Sequence, residues 1–154
     1  MSYPQPDETA PAFSMHADDG SVVTSEGLAG RRYVLFFYPK DDTAGCTAQA
    51  CGLRDAWDAV ADLDTEIFGV SPDSVASHVK FRDKYGLRHR LLSDEGHRVA
   101  EAYGTWVEKN YLGRTYMGTE RTTIVVGRDG RVEHVFPRVK ATEHVDRLLE
   151  VLAA

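Results

Sequence analysis

Hydrophobic residues in the first half of the chain fall into short runs that predict β-strands. Residues 33–38 are apolar at both odd and even positions, which is typical of a strand buried on both faces of a sheet. Residues 65–70 repeat this pattern and predict a second buried strand. The short runs 12–16 and 21–24 flank a glycine-closed turn, so they predict a β-hairpin near the N-terminus.

Helices are predicted where apolar residues recur every three or four positions. One such stripe runs from Ala50 to Ala61 and projects back by one turn onto Cys46. Cys46 is therefore expected at the start of a helix. The Ser-Pro-Asp-Ser segment 71–74 is typical of a helix start, and the helix that it opens is expected to end at Tyr85.

The second half of the chain predicts shorter elements and one long loop. The short elements are a strand at 91–93, a helix at 97–103, a hairpin of strands 122–126 and 132–136, and a closing helix after Thr142. Residues 104–119 show no clean period, so we predict a loop there, and its length favours a functional role.

Together these elements predict an α/β fold. We expect a mixed central β-sheet with helices on both faces and an N-terminal β-hairpin, and the elements suffice for a thioredoxin-like core. A length of 154 residues, 42% of them hydrophobic, predicts a single domain spanning residues 1–154.

Charge and hydropathy exclude two classes of partner. The formal net charge is −6, and the chain has no run rich in lysine or arginine, so no nucleic acid partner is expected. The longest apolar run, 33–38, is far shorter than the roughly 20 residues of a membrane helix, so no membrane partner is expected. The first basic residue is Arg31, which leaves no signal-peptide n-region, and we expect a cytoplasmic protein.

The chain has two cysteines, Cys46 and Cys51, too few for a disulfide scaffold. Cys46 follows a buried strand and falls in the first turn of a predicted helix, where free N–H groups and the helix dipole favour a thiolate. A thiolate in such a place attacks electrophiles. The spacing alone leaves open that Cys46 is a small buried hydrophobic residue and that Cys51 packs inertly.

No cofactor or metal is expected. The six histidines lack metal-ligand spacing among themselves or with the cysteines, so they are predicted to face solvent; they are His16, His78, His89, His97, His134 and His144. Neither of the two glycine-rich nucleotide-binding patterns occurs, which argues against a nucleotide cofactor.

The spacing Pro39-xxx-Thr43-xx-Cys46 resembles the active-site motif of the peroxiredoxins. With Cys51 five residues further on, the longer string is similar to the peroxiredoxin Q subfamily, also called bacterioferritin comigratory protein. The resemblance covers nearly the whole chain and includes residues 9–13, 36–39, 52–55, 92–94 and 133–136. It implies a thiol peroxidase on a thioredoxin fold that requires no cofactor.

The resemblance assigns roles position by position. It makes Cys46 the peroxidatic cysteine and Cys51 the resolving cysteine. The Thr43 hydroxyl would hydrogen-bond the thiolate and the incoming peroxide, and Pro39 would shield the pocket from water. Arg121 would stabilise the thiolate and the charge that develops on the leaving oxygen, and only the resemblance selects it among the arginines. From the residues alone, Thr43 could be only a helix N-cap and Pro39 only a strand terminator.

The implied reaction reduces hydrogen peroxide and organic hydroperoxides through a Cys46 sulfenate. A Cys46–Cys51 disulfide would follow, recycled by thioredoxin or a similar dithiol reductant, and the intrachain partner favours a monomer. Two alternatives remain: a disulfide oxidoreductase, disfavoured because C-x-x-C is missing, and a non-enzymatic redox sensor or binding module. Residues five apart on a regular helix have Cα atoms roughly 8.6 Å apart, whereas disulfides span about 4.4 to 6.8 Å, so we expect the helix start to unwind on oxidation.

Overall fold

The computed structural model describes residues 3–153, which form nine β-strands and five α-helices. The strands are β1 Ser14–Ala17, β2 Val22–Thr24, β3 Arg32–Phe37, β4 Thr65–Ser71, β5 Arg90–Ser93, β6 Trp106–Tyr111, β7 Arg114–Thr119, β8 Thr122–Val126 and β9 Val132–Pro137. The helices are α1 Ala44–Asp55, α2 Trp57–Ala61, α3 Val75–Tyr85, α4 Arg98–Ala102 and α5 His144–Ala153. Within the described residues, none of these helices has the length and apolar character needed to cross a membrane.

Seven of the strands form one mixed sheet in the order β2-β1-β5-β4-β3-β8-β9. The interior strand β3 runs parallel to β4 and antiparallel to β8, while β1 and β2 form the N-terminal hairpin. The predicted mixed α/β fold with an N-terminal hairpin is confirmed, and so is the terminal hairpin of β8 and β9.

The apolar run of β3 is continuous because both faces of the sheet are covered. Val34 and Phe36 point to one face, where α1, α3 and α5 supply apolar side chains. Leu35 and Phe37 point to the other face and pack with α4 and the N-terminal hairpin. A strand with helices on both sides needs apolar residues at every position, which is the pattern observed.

The helix predicted from segment 71–74 is confirmed. Ser74 is the N-cap of α3, and its side chain accepts a hydrogen bond from the backbone of Ser77. The helix ends at Tyr85, and Gly86 follows in a left-handed conformation with φ +63°, which glycine adopts without steric cost.

The stripe predicted as one helix is divided in two. Ala56, with φ −96° and ψ 10°, leaves helical geometry between α1 and α2. Leu53 and Val60 are nevertheless both fully buried in the same core, so the apolar period continues across the break. The spacing of apolar residues therefore indicates which face of a helix is buried, but it does not indicate a short break in the helix.

The prediction of a loop at 104–119 was wrong. This segment is the antiparallel hairpin β6–β7, which forms a two-stranded sheet of its own. Its turn is Leu112-Gly113, where both residues have positive φ, 51° and 80°, as in the tight turns that favour hairpins. The hairpin is mostly exposed, so no alternation of apolar and polar residues marks its strands.

Candidate active site

Cys46 lies where β3 passes into α1. The loop 38–43 separates the two elements, and the Thr47 backbone donates to Thr43 O at 2.8 Å to open the helix. Cys46 is in the first turn of α1 and only 2% exposed, and Cys46 and Cys51 are both free thiols. The predicted position of Cys46 at a helix start is confirmed.

Arg121 places a positive charge next to the Cys46 sulfur. Its Nη2 donates to Cys46 Sγ at 3.3 Å although the two residues are 75 positions apart in sequence. They meet because β8 pairs antiparallel with β3, so the start of β8 lies beside the end of β3. Gly45 keeps this approach open, since a Cβ there would lie 2.9 Å from Arg121 Nη2.

Gln49 orients the same guanidinium and was not identified from the sequence. Its Oε1 accepts a hydrogen bond from Arg121 Nη1 at 2.6 Å, and the residue is fully buried. Arg121 therefore donates to the sulfur with one terminal nitrogen and to the amide with the other. The signal for Gln49 is its spacing of three from Cys46, which puts both on one face of α1.

Thr43 occupies the N-cap position of α1, but its side chain makes no cap hydrogen bond. Its hydroxyl donates to the Lys40 carbonyl at 2.8 Å, so the expected bond to the Cys46 thiolate is absent from this structure. The oxygen retains its lone pairs and can still accept a hydrogen bond from a hydroperoxide. Pro39 is half-buried at the start of the same loop.

Cys51 lies on α1, one turn and a half beyond Cys46, and is half-buried. The end of the helix after Cys51 is tied to α3, since Arg54 Nη1 donates to Tyr85 O at 2.6 Å. The pKa of Arg54 is raised by its hydrogen bond to Asp55 and by the nearby Cys51. The structure thus holds the two cysteines on one intact helix.

Lys109 is a second cation whose charge interacts with those of Arg121 and Cys46, and it was missed because its segment was predicted to be a loop. It is half-buried on β6. Burial and the positive charge of Arg121 lower the pKa of Lys109, whereas the negative charge of Cys46 acts in the opposite direction. The charge of this lysine on β6 is therefore influenced by both Arg121 and Cys46.

A buried hydrogen-bond network holds the loop before Cys46. The Asp41 carboxylate accepts from Tyr38 Oη at 2.6 Å and from Ser77 Oγ at 2.7 Å. His78 Nδ1 lies 2.7 Å from the same carboxylate, and the Asp41 backbone donates to Asp73 Oδ2 at 2.8 Å. Burial and the charge of Asp41 raise the pKa of Tyr38, so its hydroxyl stays a donor. The network joins the loop to α3.

Asp41, Asp73 and His78 are also near enough to one another to ligate a metal, with their ligand atoms within 4.8 Å. These atoms already bond to one another or to neighbouring hydroxyl and N–H groups. A hydrogen-bonded cluster accounts for the arrangement without an ion.

The prediction that the histidines face solvent was wrong for three of them. His78, His89 and His144 are at most 2% exposed. His89 and His144 pack against the Phe36 ring at centroid distances of 5.2 and 5.4 Å. Burial lowers the pKa of His89 to about 4, and burial together with His89 and Arg121 lowers the pKa of His144 to about 3. Both are therefore neutral at pH 7 and belong to the core.

A buried cysteine at a helix start, bonded by an arginine on a thioredoxin-like sheet, defines a cysteine-based peroxidase of the peroxiredoxin class. A sequence model of the AhpC/TSA family matches residues 6–135, and the chain belongs to this family. It is a thiol-dependent peroxidase, an oxidoreductase whose mechanism uses cysteine.

Individual relatives agree with this class. The chain is 41% identical to peroxiredoxin Bcp of Bacillus subtilis over 94% of this chain and 92% of that relative. It is also 41% identical to peroxiredoxin Bcp of Escherichia coli, over 94% of this chain and 93% of that relative. The solved structure of the bacterioferritin comigratory protein of Xanthomonas campestris matches with a TM-score of 0.86 and 32% identity, over 92% of this chain and 90% of that chain.

Proposed function

We propose that Cys46 is the peroxidatic cysteine of this peroxidase and that Cys51 is its resolving cysteine. The observation that carries the proposal is the 3.3 Å hydrogen bond from Arg121 Nη2 to Cys46 Sγ at the start of α1. The hydrogen bond keeps a positive charge beside the sulfur, since arginine does not lose its proton near neutral pH. The same charge stabilises the oxygen that leaves when the peroxide bond breaks.

The substrates of the proposed reaction are hydrogen peroxide and organic hydroperoxides. The Cys46 thiolate attacks the terminal peroxide oxygen, an S–O bond forms and the O–O bond breaks. The departing oxygen takes a proton from water and leaves as water or an alcohol. The Thr43 oxygen accepts the hydrogen bond of the incoming hydroperoxide, and Pro39 limits the access of water. The Xanthomonas campestris protein has alkyl peroxide reduction activity, which supports organic hydroperoxides as substrates here.

Turnover requires a second thiol. Cys51 attacks the sulfur of the Cys46 sulfenic acid, water leaves, and an intramolecular disulfide forms. Thioredoxin or a similar dithiol then donates two electrons and restores both thiols. Cys51 is only half-buried, so such a reductant can reach its sulfur. In this proposal the protein is a monomer of one domain. It acts in the cytoplasm, where dithiol donors are kept reduced.

Stopped-flow reaction with hydrogen peroxide tests the assignment of the two cysteines. Cys46→Ser should abolish peroxide consumption. Cys51→Ser should consume one equivalent of peroxide but fail to turn over normally with thioredoxin. Each variant lacks one thiol and keeps the other, so the two variants serve as controls for each other. Robust turnover by the Cys46→Ser protein would overturn the proposal.

A further inference from the structure

His78 is a buried histidine whose two ring nitrogens both meet hydrogen-bond acceptors. The residue lies on α3 and is fully buried. Its Nδ1 is 2.7 Å from Asp41 Oδ2, and its Nε2 is 3.0 Å from the Leu92 carbonyl oxygen on β5. A carbonyl oxygen only accepts, so Nε2 carries a hydrogen. If Asp41 is a carboxylate, Nδ1 must carry a hydrogen too, because a neutral ring would turn a lone pair towards a negative oxygen.

The other partners of Asp41 indicate that it is a carboxylate. Its Oδ1 accepts a hydrogen bond from Tyr38 Oη at 2.6 Å, and its Oδ2 accepts one from Ser77 Oγ at 2.7 Å. Burial and the charge of Asp41 raise the pKa of Tyr38, so this phenol remains a donor. Hydrogen bonds donated to a carboxyl group favour its ionised form. These contacts therefore favour a proton on both nitrogens of His78.

A second carboxylate, Asp73, faces the same ring from the segment between β4 and α3. Its ligand oxygen and the facing atoms of Asp41 and His78 all lie within 4.8 Å of one another. The titratable side chains that face His78 are thus Asp41, Asp73 and Tyr38, whose ring centroid is 6.5 Å from that of the histidine, while β5 presents a carbonyl. Two carboxylates beside one imidazole favour a positive charge on it.

The loop 38–43 that leads to the helix of Cys46 is held by α3 at two successive residues. Asp41 is bonded on the buried side, as described above. Asp42 accepts hydrogen bonds on the exposed side from two side chains at the end of α3. Its φ of +57° lies in the left-handed region, which residues other than glycine keep only where surrounding contacts impose it. The conformation of the loop therefore depends on its bonds to α3.

We propose that Asp41 and a protonated His78 form an ion pair that positions the loop 38–43 for the reaction with a hydroperoxide. This assignment rests on the peroxidase function proposed above. Thr43 belongs to the loop, and its hydroxyl is oriented by its bond to the Lys40 carbonyl within the same loop. The place of the oxygen that accepts from the hydroperoxide is thus fixed by the loop. Asp41 and His78 are positioning residues, since they act through the loop.

Two substitutions of Asp41 separate the position of the loop from the charge of the pair. In Asp41→Asn, the amide oxygen can accept from Tyr38, and the amide nitrogen can donate one hydrogen to Ser77 and one to a neutral His78. Asp41→Ala makes none of these bonds. Both variants lose the same negative charge, so they differ in the attachment of the loop.

Stopped-flow oxidation of Cys46 by hydrogen peroxide measures the positioning effect. All proteins carry Cys51→Ser, so that Cys46 is the only thiol. We expect Asp41→Ala to be oxidised at least about 10-fold more slowly than Asp41→Asn, because a small displacement of a positioning group can cost as much as about 100-fold in rate. The ionisation of Cys46, followed by the ultraviolet absorbance of the thiolate, should have the same midpoint in both variants.

Two further proteins complete the comparison. His16→Gln changes an exposed histidine of β1 and should match the parent protein in rate. Asp41→Ser keeps a polar group that is too short to reach all three partners of the carboxylate. It should be slow like Asp41→Ala, and it keeps the test independent of the folding of the alanine variant, which circular dichroism monitors.

Heteronuclear NMR of the reduced protein at neutral pH tests the charge on His78. Both ring nitrogens should carry a hydrogen in the parent protein, whereas only Nε2 should carry one in Asp41→Asn. A ring with a single N–H in the parent protein would overturn the ion pair.

The kinetic results can overturn the positioning role independently. Equal oxidation rates of folded Asp41→Asn, Asp41→Ala and Asp41→Ser would show that the loop does not need these bonds. A shift in the midpoint of Cys46 ionisation that accounts for the slower rate would show that the effect is electrostatic. A parent protein that does not react with hydrogen peroxide would instead refute the peroxidase function, and NMR would still decide whether the ion pair exists.

Discussion

Formation of a Cys46–Cys51 disulfide is expected to unwind the first half of α1. Both cysteines lie within the continuous helix Ala44–Asp55. Their Cα atoms are roughly 8.6 Å apart by helix geometry, and a disulfide requires about 4.4 to 6.8 Å. The sulfurs cannot join without a change of backbone conformation.

The contacts of α1 indicate where the unwinding stops. Gly52 packs against α5, since a Cβ there would lie 3.0 Å from Val145 Cγ2. Leu53 is fully buried, and Arg54 is bonded to Tyr85 O at 2.6 Å. The segment before Gly52 contributes only small or polar buried side chains, which are Cys46, Gln49 and Ala50. We therefore expect residues 44–51 to unwind and 52–55 to stay helical.

The size of the effect follows from the hydrogen bonds that are lost. Unwinding this segment breaks roughly five backbone hydrogen bonds of about 1 kcal/mol each, on the order of 5 kcal/mol. Backbone amides of residues 44–51 would then exchange about 5,000-fold faster in the disulfide form than in the reduced protein.

Amide hydrogen exchange with mass spectrometry on both redox forms measures this change. Peptides from α3, residues 75–85, serve as the internal control and should exchange equally in both forms. Cys51→Ser treated with one equivalent of peroxide forms no disulfide and should keep the protection of the reduced protein. Equal, strong protection of residues 46–52 in the reduced protein and in a verified disulfide form would falsify the unwinding mechanism.

Three further predictions concern the site and the core. Arg121→Ala should slow Cys46 oxidation by on the order of 100-fold, because it removes the donor at 3.3 Å from sulfur; an unchanged second-order rate constant would show that this arginine is not the one that matters. Ala44→Pro should stabilise the helix of the reduced protein by about 0.4 to 1 kcal/mol, because residue 44 is the first residue of α1 and Thr43 is already extended. Disulfide formation should then be slower by up to about fivefold, and a faster rate measured by quench-flow would contradict this. The free energy of unfolding should fall as the pH drops from 6.5 towards 4. In the unfolded chain His89 and His144 take up a proton near their usual pKa of 6.5, whereas in the folded protein their pKa values are about 4 and about 3. Denaturant titrations should show a loss of about 2 kcal/mol per histidine by pH 5, and His89→Leu should reduce the slope; an unchanged slope would show that His89 does not titrate on unfolding.

Local patterns in the sequence were sufficient to predict the elements on either side of Cys46. The uninterrupted apolar run of β3 reflects burial on two faces, and the stripe from Ala50 placed Cys46 one turn earlier. The helix α3 was predicted from its Ser74 cap to its final Tyr85 because capping depends on residues only a few positions apart. The spacing of Thr43 and Cys46 likewise identified the motif.

Long-range packing determined the rest of the site. Arg121 reaches Cys46 only through the antiparallel pairing of β3 with β8, and without the family resemblance no local signal distinguishes it from the other arginines. Lys109 depends on a hairpin whose exposed strands show no hydrophobic period. His89 looks like any polar residue in the sequence, yet tertiary packing encloses it completely against Phe36. A sequence pattern records neighbours within a turn or along a strand, whereas the charges around the sulfur come from segments that meet only when the sheet is assembled.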